Sequence, residues 1–114
     1  MSTENELEKK EKVSELLLLY GKLLTENISH RMEMFYLEDY SITEISQLEN
    51  VSRNAVFESL SHGEKQLLRY EEKLSLQKKH AVLLEKLDEL SKEKDEARRE
   101  ELIQYLKGEF GYGI

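Results

Sequence analysis

Two serines frame the most constraining stretch of this chain. Ser41 opens the run Ser-Ile-Thr-Glu-Ile, Ser52 opens Ser-Arg-Asn-Ala-Val, and Asn50-Val51 lies between them. A serine at a helix N-cap accepts a hydrogen bond from a first-turn backbone N–H, and a glutamate three residues on returns the favour to the cap. Ser41 and Glu44 have that spacing, so a helix is expected to start at Ile42, with Ile42, Ile45 and Leu48 turned inward. After glycine, asparagine is the residue that best tolerates a positive φ. A sharp bend at Asn50, plugged by Val51, therefore lets a second helix start behind Ser52, with Ser46 as the small residue at the crossing. Two helices joined this way form a helix-turn-helix, expected over residues 41–62. One position breaks the pattern. Glu49 stands where a large apolar side chain is usual, and Leu48 is expected to fill that role.

The rest of the chain reads as helix throughout. It has 114 residues with no Pro and no Cys, and 36% of them are charged, a mix that suits long helices with one solvated face. Val13, Leu16, Leu17, Tyr20 and Leu23/Leu24 recur at spacings of three and four and predict a first helix over about residues 6–24, with Gly21 inside it. Thr25 is the expected cap of a second helix whose buried face is Ile28, Met32, Phe35 and Tyr36, ending near residues 38–39. From Arg53 no stop signal appears for a long way, and Gly63 is the one weak point. Leu67, Tyr70, Leu74, Gln77, Ala81 and Leu84 then follow the 3-4 alternation of a short coiled-coil seam. A charged stretch follows, Leu102, Ile103, Tyr105 and Leu106 dock a last helix, and GEFGYGI is expected to be loose. The expected architecture is all-α, without a wing, as a single domain over residues 1–114. Within it, residues 25–74 form a DNA-binding-like unit and residues 64–107 are C-terminal helices, with a homodimer expected through residues 64–90; the same seam is equally suited to pack on the first helix of its own chain.

Composition removes several functions. Without Cys there is no disulfide, thiolate chemistry or Cys-based zinc site. His30, His62 and His80 are scattered and lack metal-ligand spacing, so no metal, no cofactor and no catalytic residue is expected. The longest apolar run, residues 16–20, is far short of the ~18 residues of a membrane span, so no membrane insertion is expected and the cytoplasm is the expected location. Net charge is −7. Residues 25–69 carry four basic side chains (Arg31, Arg53, Lys65, Arg69) against eight acidic ones, which works against phosphate binding. A positive stripe along those four would favour DNA, and an unbroken negative face would favour a basic protein partner.

If the second helix of the motif enters a major groove, its leading end offers Ser52, Arg53, Asn54, Phe57, Glu58 and Ser61. Arg53 suits guanine O6/N7 or a phosphate, Asn54 matches adenine, Phe57 suits a thymine methyl, and Glu58 can accept from cytosine N4. Ser52 and the first backbone N–H groups can hold a phosphate. The competing reading has Arg53 and Asn54 as solvated first-turn residues and Phe57 partly buried against Tyr36 or a second subunit.

The stretches LLTEN near residues 23–27, MEMFYLEDY at 32–40, SITEI, VSRNAVFESL and E-K-x-L-x-x-Y-E-x-K-L at 64–74 together resemble the YlxM-like (p13-like) helix-turn-helix family of Gram-positive bacteria and mollicutes. The motif itself is similar to region 4 of bacterial sigma factors. This resemblance implies an all-helical regulator that binds double-stranded DNA. It also implies a link to the signal recognition particle pathway, because genes of this family tend to lie beside those for its GTPases. The alternative class is a non-enzymatic adaptor whose acidic helical unit binds a basic partner in protein targeting or transcription.

Overall fold

A computed structural model describes residues 4–111. Among them are six α-helices and no strand: α1 (Glu4–Tyr20), α2 (Glu26–Tyr36), α3 (Ile42–Glu49), α4 (Arg53–Leu74), α5 (Leu76–Lys92) and α6 (Glu96–Phe110), with a 3-10 turn at Gly21–Leu23. The chain divides into two compact units, residues 1–75 and 76–114.

In the first unit α4 packs against α1, α2 and α3. Val56, Leu60, Gly63 and Leu67 form its inner stripe, spaced at three and four residues as one helix face demands. They meet Val13, Leu16, Leu17 and Tyr20 of α1, Met32 and Met34 of α2, and Ile45 of α3 in a shared core. Each large side chain removed from water there contributes about 1.5–3 kcal/mol. Gly63 is a point of close approach rather than a weak point. A β-carbon there would lie 2.9 Å from both Ile28 Cγ2 and Met32 Sδ. Tyr20 is buried with its hydroxyl satisfied, donating to Glu71 Oε1 at 2.8 Å, so the ends of α1 and α4 are held together. Further back along α1, Ser14 Oγ donates to the Lys10 carbonyl at 2.8 Å and lies 3.3 Å from that of Tyr36.

Several boundaries differ from those expected. The first α-helix stops at Tyr20, and Gly21 begins the 3-10 turn that ends at Leu23. Thr25 sits at the N-cap of α2, but its side chain makes no cap hydrogen bond. Met34 is buried, whereas Ile28, Phe35 and Tyr36 are only half-buried. The largest correction lies after the motif. The long helix ends at Leu74, and Ser75 adopts left-handed angles (φ 54, ψ 30) while its N–H still bonds the Glu71 carbonyl. The proposed seam from Leu67 to Leu84 is therefore interrupted at Ser75. Serine carries no strong stop signal, so periodicity ran straight through it.

In the second unit α5 packs against α6. Arg99 closes the end of α5 by donating to the carbonyls of Leu90 (3.2 Å) and Glu93 (3.0 Å), and Asp95 caps α6. Lys86 lies over the Tyr105 ring at 5.5 Å. Leu102 is the buried residue of α6 and α5 has none among the described residues. Ile103 and Leu106 are half-buried and Tyr105 is exposed. Gly108–Phe110, expected to be loose, are helical, and the last three residues of GEFGYGI lie outside the described ones.

Candidate nucleic-acid interface

The turn between α3 and α4 is built by local chemistry. Ser41 and Glu44 form a reciprocal capping box, with Glu44 N–H donating to Ser41 Oγ (3.1 Å) and Ser41 N–H donating to Glu44 Oε1 (3.0 Å). Asn50 takes left-handed angles (φ 54, ψ 48). The N–H groups of Asn50 and Val51 both reach the Ser46 carbonyl, closing the end of α3. Two residues on, Ser52 Oγ accepts from the Ala55 N–H at 3.0 Å and starts α4. The chain thus changes direction within three residues, as the serines and Asn50 predict.

This turn leaves the leading end of α4 open to solvent. Ser52, Arg53, Asn54 and Glu58 are exposed, and Phe57 is 59% exposed despite its aromatic ring. Ser61 is half-buried. Asn54 Nδ2 donates to Glu58 Oε1 at 3.3 Å, so the amide that would read adenine is shared with a neighbouring carboxylate. Phe57 lines the same hollow as Tyr36 without being covered by it. His62 lies exposed on the same helix, and His30 and His80 are exposed elsewhere.

Glu49 has a different solution from the one expected. Leu48 does not fill the apolar position; it is 65% exposed. One residue along a helix is a turn of about 100°, so Leu48 cannot point where Glu49 points. Arg31 reaches across from α2 instead. Its Nε donates to Glu49 Oε1 (3.3 Å) and Oε2 (3.0 Å), and its Nη1 donates to Ser59 Oγ at 2.8 Å. The two charged side chains are only 14% and 21% exposed. A shielded, hydrogen-bonded ion pair joins α2, α3 and α4 where an apolar residue would otherwise pack. The positive stripe accordingly loses Arg31, while Arg53, Lys65 and Arg69 pair with no carboxylate among the described residues. Sequence reading missed this pair because Arg31 and Glu49 are 18 residues apart. The signal was an acid at an inward position, which needs a partner.

Beside Phe57 lies a hollow of about 590 Å³, lined by Leu7 of α1, Phe35 and Tyr36 of α2, Ile42 of α3, and Leu60 of α4. Burial, and secondarily the charge of Glu64, pushes the Tyr36 hydroxyl up to about 12. Among the described residues, no group of three or more acids and histidines is placed to hold a metal ion. No helix among them is long and apolar enough to cross a membrane.

The family model described as "Putative helix-turn-helix protein, YlxM / p13 like" matches residues 7–107. The UPF0122 protein of Oceanobacillus iheyensis is 41% identical over 101 residues, covering 89% of this chain and 96% of its own length. That of Lactococcus lactis is 39% identical over 87 residues, 76% of this chain and 78% of the relative. That of a Thermoanaerobacter species is 45% identical over 73 residues, 64% of this chain. In the last case the match spans only 62% of the relative's length.

Proposed function

Because the chain belongs to the YlxM / p13-like helix-turn-helix family, we propose that it is a regulatory protein that binds double-stranded DNA in the cytoplasm through residues 52–61. The observation that carries this reading is the bare leading end of α4, with Arg53, Asn54, Phe57 and Glu58 all exposed while the same helix is anchored on three others. In this reading Arg53 takes a guanine edge or a phosphate and Ser52 with the first N–H groups takes a phosphate. Asn54 must exchange its bond to Glu58 for one to a base. A homodimer presents two such ends to two half-sites, joined through the exposed leucines of α5 (Leu84 and Leu87).

Selection of genomic fragments with the purified protein tests the reading. Arg53→Ala is expected to weaken the selected duplex by about 1–3 kcal/mol with the helical content unchanged. If no fragment outcompetes random sequence, the DNA reading is wrong. The connection to the signal recognition particle pathway is supported by family context alone.

A second reading, a protein adaptor, is favoured by the acidic excess of residues 25–69, which the Arg31–Glu49 pair leaves unchanged because it cancels one charge of each sign. Co-purification of one basic partner that survives nuclease and is lost on Phe57→Ser would select it.

A further inference from the structure

The hollow beside the leading end of α4 shares only Phe57 and Ser61 with the DNA reading. Its walls are Leu7, Phe35, Tyr36, Ile42, Phe57 and Leu60, contributed by four helices of the first unit. Three aromatic rings and three aliphatic side chains around about 590 Å³ give the size and lining of a recognition pocket rather than of scattered surface apolar residues. Phe57 and Leu7 stand on its margins 59% and 57% exposed. Glu6, Lys9, Lys10, Ser61 and Glu64 complete the lining, and both lysines are paired. Lys9 pairs with Glu64 at 2.9 Å, and Lys10 pairs with Asp39 at 3.1 Å while lying over the Phe35 ring.

We propose that this hollow receives the apolar ridge of a basic amphipathic helix from another protein. A helix projects apolar side chains at i, i+3, i+4 and i+7, a ridge that fits an aromatic-walled groove. Charge decides which helix. Residues 25–69 carry eight acids against four bases, and the Arg31–Glu49 pair cancels one of each, so an excess of four acids remains. Lysines and arginines flanking the ridge are attracted to such a surface, and an acidic helix is repelled. The two lysines of the lining are already paired with carboxylates, so a phosphate backbone finds no free cation there and nucleic acid is not the occupant. Phe57 and Ser61 line the hollow and also belong to the leading end of α4, so a seated helix covers part of the surface assigned to DNA. The proposal rests on the adaptor reading, whose partner it specifies, and is tested without any duplex.

The probe is a fluorescent helical peptide of about 18 leucines and lysines with leucine on one face, titrated with the full-length protein and followed by anisotropy. Saturable one-to-one binding is expected. Phe57→Ser, and independently Leu7→Ser on the opposite wall, should each weaken it about tenfold. Leu48→Ser, which removes a leucine 65% exposed outside the hollow, should leave binding unchanged. A leucine–glutamate peptide of the same pattern should bind at least about tenfold more weakly. All three substitutions are at exposed positions, and matching thermal melts show that the fold is kept. Non-saturable binding, equal weakening by Leu48→Ser and Phe57→Ser, or equal affinity for the acidic peptide each overturns the proposal. So does self-association of the protein that Phe57→Ser abolishes, since the occupant is then a second copy.

Discussion

Removing Glu49 would leave the Arg31 guanidinium half-buried with no counter-charge. Glu49→Ala is expected to lower the free energy of unfolding by about 1–3 kcal/mol. Replacing Arg31 and Glu49 together by leucine should recover most of that loss, because both charges leave at once. Denaturant melts of the wild type, Arg31→Leu, Glu49→Leu and the double leucine variant close a double-mutant cycle that measures the coupling. Tyr36 makes a separate prediction. Its hydroxyl is held neutral up to about 12 by burial and, less so, by Glu64, against an ordinary value of 10.0. The folded state therefore keeps a proton that the unfolded state has already released. Whatever stability Tyr36 contributes is complete below pH 10 and is lost as pH rises through about 12. The chain has five other tyrosines, so the measurement is a comparison: a Tyr36→Phe variant should lose stability less steeply over that window. Neither feature could be read from the sequence, since an ion pair across 18 residues and a desolvated hydroxyl are both made by packing.

Among the elements, the α3–α4 corner depends on one backbone angle. Asn50 holds φ 54, where a β-carbon normally clashes with the following carbonyl. Asn50→Gly should be neutral or slightly stabilising, and Asn50→Val should cost about 1–2 kcal/mol, both read from thermal unfolding. The corner was the most legible part of the chain for a physical reason. Ser41, Glu44, Asn50 and Ser52 act on backbone groups within four residues of themselves, so their spacing alone specifies the bonds they make. Ser75 shows the opposite case. It takes a similar left-handed angle, but serine announces nothing, and the apolar rhythm on either side of it suggested one continuous helix. The six leading-end residues were legible as candidates for the same local reason, since capping and helical spacing fix which side chains follow Ser52. That Phe57 would stand beside a hollow was not, because three other helices build the walls.

The whole molecule has an uneven core. Among the described residues every buried apolar side chain but Leu102 lies before Ser75. A protein cut after Ser75 is therefore expected to fold and melt cooperatively in circular dichroism, while a fragment of residues 76–114 should be only partly helical at low concentration. In the homodimer reading that fragment gains helicity as its concentration rises, and sedimentation of the full chain gives the subunit number. The inward turn of Arg31 has a consequence for how the molecule would answer to ionic strength. Within residues 25–69 it leaves Arg53, Lys65 and Arg69 as the cations able to displace condensed counterions from a duplex. At roughly 0.9 logarithmic units per neutralised phosphate, a protomer reading DNA through this segment would show a log–log slope no steeper than about −3. Whatever hold it has on DNA would come mainly from the shape and chemistry of the groove, and would persist in brine that strips more basic proteins away.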